Sequence, residues 1–521
     1  MASGILDTYM VLDFTDERGE IGPMLLGDLG ADVIKVEPPG GSTARRQPPF
    51  LDGAHEDEPP SLQFAAFNRN KRSILLDPRS EADAEFLRKL IAEADFIFES
   101  DRLLESGWGL TPNDIEALNS RIVHVRITPF GNDGPHADLP YADLTLAAMG
   151  GPVALQGPLD RAPIRISVPQ VWRHAGAEAA AGAMLAHANM RRTGRPQFVD
   201  LSAQCTMTWT MLNAMDAFAI QGFDFQRTGS SITQSVGDTP LVHPTRDGYL
   251  VAIPMGQVLM GCTEAIIADG LVDTSFREID WAFFQANLAT PEQLPISLAE
   301  CLRICRAFFA LHDKHELFEL GLNVGSTLAP INTLPELLAL DHLKQRDYWH
   351  SLAVTDQASI RAPGFWAKPQ GFEMEQPRPA PRLNEHGDEI RAAYATPRVR
   401  EALAADNELP FAGIRVADFA WVGVGPISSK YLADHGADVV RVESEGRPDV
   451  LRGGMPFKDN ERGWNRSQFF GDFNTSKRSI TLDLKSEAGL GLAKRLIASS
   501  DVFIESFAPG AIERMGLTYE E

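Results

Sequence analysis

Cysteine is scarce in this chain. There are four, Cys205, Cys262, Cys301 and Cys305, in 521 residues. Cys301 and Cys305 lie in AECLRICRAFF, which reads as a helix, and would share one face. No second Cys or His pair completes a zinc set, so they read as small buried hydrophobes and no metal is expected. Low cysteine use fits a reducing compartment, and a cytoplasmic location is expected. Positive charge is also short. Lys+Arg is 48 against Asp+Glu 71, a formal charge of −23. That argues against nucleic-acid or anionic-membrane partners, but leaves room for a small anionic ligand in a local basic pocket. No run reaches the ~18 apolar residues of a spanning helix. The best apolar helix, Ala175 to Ala186 (AGAEAAAGAMLA), is rich in Ala and Gly and suits close helix packing. The opening MASGILDTYMVLDF has neither the basic start nor the long apolar stretch of a secretory signal. No G-x-G-x-x-G follows a strand, since GDLGAD gives only a glycine pair, so a nucleotide-dependent dehydrogenase is the weakest reading.

What is present is a globular composition, 44% hydrophobic and 23% charged, in a chain long enough for roughly three or four domains. It also holds an internal repeat. GADVIKVE (30–37) returns as GADVVRVE (436–443). NRNKRSILLD (68–77) returns as NTSKRSITLD (474–483), with seven of ten positions identical. DFIFES (95–100) returns as DVFIES (501–506), and GLT at 109–111 as GLT at 516–518. Four segments in one order at nearly one offset imply duplication of a whole unit, because the period is too long for a solenoid. The second copy halts at Glu521, the counterpart of Asp114, so it is expected to hold only the opening part of a unit.

Each copy reads as strand–helix–strand. The apolar runs Tyr9–Phe14 and Ile414–Phe419 are strands, and the helices Gly22–Leu29 and Gly425–His435 follow. Strands Asp32–Glu37 and Asp438–Glu443 come next, then Lys71–Leu76 and Lys477–Leu482. Helices Glu81–Ala92 and Glu487–Ala498 lead to strands Phe96–Glu99 and Val502–Glu505. The expected fold class is α/β: a Rossmann-like open parallel sheet, a smaller α+β domain, and a partial second α/β copy. The expected domains are 1–214, the large domain; 215–335, the small domain; 336–398, the return to the large domain and a linker; and 399–521, the incomplete second unit. Leu298–Leu320 reads as helical, and Glu375–Leu383 as a proline-rich linker.

The segments GPMLLGDLGADVIKVEPPGG, FNRNKRSILLD, LADHGADVVRVES, FNTSKRSITLDLK and ESFAPGAIERMGL, in that order, resemble the CaiB/BaiF group, the family III CoA-transferases. TPFGNDGP (128–135), TGRPQFVDLS (193–202), DGYLVAI and DHLKQRDYW sit where that family has similar segments. The resemblance implies an acyl-CoA:carboxylate CoA-transferase, with coenzyme A as substrate rather than resident cofactor. Its partners are an acyl-CoA and a carboxylic acid, in a homodimer or an intramolecular pseudo-dimer. It also implies a CoA site at Lys35, Lys71, Arg72, Arg441, Lys477, Arg478, Phe507 and Arg514. Adjacent strand residues point to opposite faces, so at most one of each Lys-Arg pair faces a ligand while the strand lasts. The first copy's ESDRLLESGWGL lacks the F-x-P-G of ESFAPG, which puts CoA binding there in question.

The family's nucleophilic aspartate falls near Trp172, in ISVPQVWRHAGAEAAAGAML. No Asp or Glu occurs there between Asp160 and Glu178. No catalytic residue is therefore identified, and Asp160 and His174 are the candidates left. The alternatives are a non-catalytic CoA-binding or structural subunit, and a racemase-like enzyme of the same fold.

Overall fold

Strand β1 (Met10–Phe14) is buried along its whole length. So are β4 (Phe96–Ser100) and β5 (Val123–Thr128). Runs that are buried on both faces suit the interior of a parallel sheet covered on both sides. In the computed structural model, which describes residues 4–52, 60–234, 237–286, 293–372, 374, 376–395, 403 and 405–520, they form that interior. With β2 (Asp32–Glu37), β3 (Lys71–Leu75) and β6 (Gln197–Ser202) they make a parallel sheet of order β3-β2-β1-β4-β5-β6. The order reverses between β1 and β4, and open α/β sheets bind ligands beyond the carboxyl ends of strands at such a point.

Local chemistry sets the helices. Ser80 opens Glu81–Glu93, its hydroxyl accepting from the Asp83 N–H. The long helix Val171–Thr193 ends at Gly194, whose φ of +64° is the left-handed stop that glycine adopts without strain. Its buried Ala175, Gly176, Ala179 and Ala183 form a small-residue face. There a Cβ on Gly176 would stand 3.1 Å from Ile21 Cβ, so the helix Ile21–Asp28 packs close.

A second parallel sheet lies in the same compact unit. Its strands run Arg478–Thr481, Asp438–Glu443, Arg415–Asp418, Val502–Ile504, the order of β3-β2-β1-β4. The two sheet regions are joined by Tyr431, whose hydroxyl donates to Glu178 at 2.7 Å, and by Asn213, which donates to the Met455 carbonyl at 2.7 Å.

The smaller unit comprises residues 153–165 and 226–348, against the expected 215–335. Its core holds Phe276, Phe284, Phe308 and Phe309 with Cys262, Cys301 and Cys305. Burial pushes the Cys262 and Cys301 thiols up to about 11, as expected of thiols that pack rather than react. The stretch Leu298–Leu320, expected as helical, holds two helices, Leu298–Leu311 and Lys314–Val324. Asp313 breaks it, forming a capping box with Glu316. Residues 376–394, within the stretch 336–398 expected as the return to the large domain and a linker, line the outer edge of β3; Glu375 lies outside the described residues. Among the described residues no helix is long and apolar enough to cross a membrane.

Candidate active site

Beneath the loop that leaves β1, one carboxylate gathers two cations. Lys71 Nζ donates to Asp13 Oδ2 at 2.7 Å, to Asn68 Oδ1 at 2.9 Å and to the Glu20 carbonyl at 2.9 Å. Lys35 Nζ lies 3.4 Å from the same Asp13 oxygen and donates to the Thr15 carbonyl at 2.8 Å. All three side chains are fully buried. Burial raises the Asp13 carboxyl, but Lys35 and Lys71 outweigh it and hold the group at about 2. Burial takes the Lys71 ammonium down to about 8, against the pull of Asp13.

The C-terminal sheet repeats this network. Lys477 Nζ donates to Asp418 Oδ2 at 2.9 Å, Asn474 Oδ1 at 3.0 Å and the Pro426 carbonyl at 2.9 Å. Burial lowers it to about 8 as well. Arg441 donates to the Ala420 carbonyl at 2.9 Å and pairs with Asp449. The structure thus places Lys35, Lys71, Arg441 and Lys477 inward, pinning the loop after the first strand of each sheet. Buried carboxylates and carbonyls are the partners of these four side chains. Arg72 lies along the sheet edge, its Nε donating to Asp32 at 2.9 Å and its Nη1 to Glu389 at 3.0 Å. Arg478 is exposed and paired with Asp438.

An open cleft of about 1180 Å³ lies at the carboxyl ends of the C-terminal sheet's strands. Phe507 and Arg514 line it, as do Trp421, Arg447 and Lys485. The Trp421 and Phe507 rings meet edge to face, centroids 5.9 Å apart, and the Arg447 guanidinium sits 5.9 Å from the Trp421 ring. The cleft offers an aromatic surface, apolar walls from Val442 and Leu490, and three cations. That chemistry suits a planar base joined to phosphates. The sequence reading missed Arg447 and Lys485. Each is the first basic residue past a strand end, in VVRVESEGR and SITLDLK, and that position was the available signal.

The matching place on the N-terminal sheet is chemically different. The Asp16 N–H donates to Ser100 Oγ at 3.1 Å, as the Trp421 N–H donates to Ser506 Oγ at 3.1 Å. Asp16 therefore stands where Trp421 does, and Asp101 follows Ser100 as Phe507 follows Ser506. Arg18 Nε donates to Asp16 at 2.8 Å, and its Nη1 reaches Asp101 at 3.3 Å and the Tyr141 hydroxyl. Burial raises the Asp16 carboxyl, yet Arg18 brings it below its ordinary value. Ion pairs take the place of the aromatic pair.

At the start of helix Val171–Thr193, Trp172 packs edge to face on Tyr141 at 5.7 Å. His174 is exposed on the first turn. Asp160 is exposed on a turn of the smaller unit. Two carboxylates that the sequence reading did not single out flank this helix start. Asp143 Oδ2 accepts the Val171 N–H at 3.0 Å. Glu20 is wholly buried, accepts from Asn68 at 2.8 Å and Gln63 at 3.2 Å, and lies 3.9 Å from Arg173. Burial raises its carboxyl above the ordinary range, against Lys71 and Lys35. Among the described residues, no group of three His, Cys, Asp or Glu side chains is placed to hold a metal ion.

Known proteins resemble this chain throughout. A probable CoA-transferase of Mycobacterium tuberculosis is 27% identical over 505 residues, 95% of this chain, and this chain spans 60% of that relative's length. A subunit of the succinyl-CoA:(R)-benzylsuccinate CoA-transferase of Thauera aromatica is 30% identical over 407 residues, 77% of this chain and 96% of that one. The crystal structure of a CaiB/BaiF family protein from Brucella suis superposes with a TM-score of 0.61 at 27% identity, covering 75% of this chain and all of that one. The sequence profile of CoA-transferase family III matches residues 6–387 and again 411–521. With a six-stranded doubly wound sheet and the profile matched over most of its length, the chain belongs to CoA-transferase family III.

Proposed function

We propose that this chain is part of an acyl-CoA:carboxylate CoA-transferase built from two family units, and that it binds CoA through the C-terminal sheet. The observation that carries this reading is the cleft holding Trp421, Phe507, Arg447, Lys485 and Arg514. The adenine lies against the aromatic pair, and the phosphates meet the three cations. The apolar wall at Val442 and Leu490 takes the pantetheine arm. The repeated strand order and repeated lysine networks support a duplicated unit, pairing its halves within one chain.

CoA transfer needs a carboxylate nucleophile. Its oxygen attacks the thioester carbonyl carbon, the C–S bond breaks, and CoA leaves as thiolate, giving a mixed anhydride. The thiolate then attacks the enzyme carbonyl of that anhydride, releasing the donor acid and forming an enzyme–CoA thioester. The acceptor carboxylate reverses these steps and departs as its CoA ester. The first turn of helix Val171–Thr193 presents Trp172 and His174, not an aspartate, and the nearby Glu20 is buried away from solvent. The N-terminal unit is therefore a partner that shapes the assembly without supplying the nucleophile.

The test is a CoA exchange assay. Succinyl-CoA is the donor to try first, since the Thauera aromatica relative is named for it. A panel of carboxylates serves as acceptors. CoA binding without exchange is the expected result. Exchange by the 521-residue chain would sink the claim that the N-terminal unit lacks a nucleophile, and Asp160, His174 and Glu20 would be the residues to change. A non-catalytic CoA-binding subunit is the second reading, favoured by the lack of any Asp or Glu between Asp160 and Glu178; it predicts no exchange under any pairing of subunits.

A further inference from the structure

The two sheets differ at their outer edge strands. Along β3 the chain lays its own residues 376–394. The Asn70 N–H donates to the Arg378 carbonyl at 3.0 Å, the Leu75 N–H to Asn384 Oδ1 at 2.9 Å, and the His386 N–H to the Ser73 carbonyl at 3.1 Å. Glu389 takes Arg72 at 3.0 Å, and the Tyr394 hydroxyl donates to Asp32 at 3.1 Å. The helix Gly387–Ala393 buries Ile390, and Arg391 lies over the Phe86 ring at 5.0 Å. This segment covers the edge of β3 at separate points and adds Ile390 and Tyr394 to the core on that face.

The strand Arg478–Thr481 repeats β3 residue for residue through Arg-Ser-Ile, yet all four of its residues are exposed. Ile480 is 38% exposed where Ile74 is 0%, and Leu492 is 47% exposed where Phe86 is 8%. The charges match too. Arg478 stands as Arg72 does, paired with Asp438 as Arg72 is with Asp32.

We propose that the edge Arg478–Thr481, with Ile480, Leu492 and Asp438, is a docking surface for a peptide segment with the chemistry of residues 378–394. Its occupant is an extended stretch with Asn and His two residues apart, followed by a short helix carrying an acidic residue, an isoleucine and a tyrosine. The asparagine and the backbone pair with the strand edge at Ser479 and Thr481, as an added β-strand does. The acidic residue meets Arg478, the isoleucine covers Ile480 and Leu492, and the tyrosine hydroxyl reaches Asp438.

The experiment titrates a dye-labelled synthetic peptide of residues 376–395 against the whole chain by fluorescence anisotropy, with hydrogen exchange to locate it. Saturable binding of one peptide per chain is expected, slowing exchange at 478–481 and leaving 71–75 unchanged. Arg478→Glu is expected to weaken binding about tenfold, and a peptide carrying Glu389→Arg to recover most of that loss, which also shows that the variant is folded. No saturable binding at millimolar peptide overturns the proposal. So does protection of β3 instead of 478–481, which would mean exchange with the resident segment. A concentration-dependent dimer that protects 478–481 and resists the peptide would also overturn it, by making the occupant another copy of the chain.

Discussion

At the carboxyl end of the N-terminal sheet, Asp16 and Asp101 hold Arg18 in a half-buried ion cluster. At the same place on the C-terminal sheet, Trp421 and Phe507 face each other across 5.9 Å above an open cleft. Beneath both lies one frame: an aspartate, a lysine and an asparagine, with a second cation fastened to the loop carbonyl. A buried charge without its partner is costly, whereas a residue on the cleft wall can change at little cost to the fold. On the proposed function, the frame reports the fold and the groups above it report the ligand. The basic residues of KRSI belong to the frame and the edge.

The largest expected effect separates these two roles. Lys71→Met leaves Asp13 buried beside Lys35 alone, and is expected to cost about 3–5 kcal/mol in urea unfolding. Its affinity for CoA should stay within about twofold of the parent's, by the argument that distant sites act independently. A large loss of affinity in a still-folded Lys71→Met protein would return this lysine to the ligand site. Phe507→Asp gives the C-terminal cleft the chemistry of Asp101. Loss of one aromatic face is expected to weaken CoA about tenfold, with the unfolding midpoint little changed. Arg18→Ala is expected to leave CoA affinity unchanged and to destabilise by about 1–3 kcal/mol, because Asp16 loses its partner.

The smallest effect is a pH slope. The folded Glu20 carboxyl lies above its unfolded value of 4.5. The folded state therefore binds more protons there, and stability falls as pH rises from 4.5 through the raised folded value. Asp13 has the opposite sign. Its stabilising contribution is present above 3.8 and is lost as pH falls toward 2. Relative to the parent, Glu20→Gln should gain stability as pH climbs above 4.5. A parallel pair of stability–pH curves would show that Glu20 titrates as an ordinary carboxylate.

Much of the fold was legible because the repeat doubled each signal. GADVIKVE and GADVVRVE fix a strand and its entry turn twice over, and the α/β reading of both regions follows from the strand–helix alternation. Within the helical stretch Leu298–Leu320 the apolar spacing continues across Asp313, and the D-K-H-E capping box is the local sign of the break. The docking of 376–394 was hidden by its prolines, which read as linker, while Asn384, His386 and Ile390 make tertiary contacts that no local pattern announces. Phe507 and Arg514, which line the C-terminal cleft, were singled out from ESFAPGAIERMGL. For Lys35, Lys71, Arg441 and Lys477, sequence gives the charge and strand position but not the buried aspartate that each pairs with. Glu20 went unseen because its significance lies in burial, supplied by helices far apart in the chain.

The most direct test of the account is a calorimetric titration of the whole chain with CoA, repeated on Arg514→Ala. The account predicts one CoA per chain, weakened about tenfold by the loss of Arg514, since a hydrogen bond to a charged group contributes about 1.5–3 kcal/mol. Two CoA molecules per chain, or an affinity indifferent to Arg514, would contradict the assignment of CoA to the C-terminal cleft.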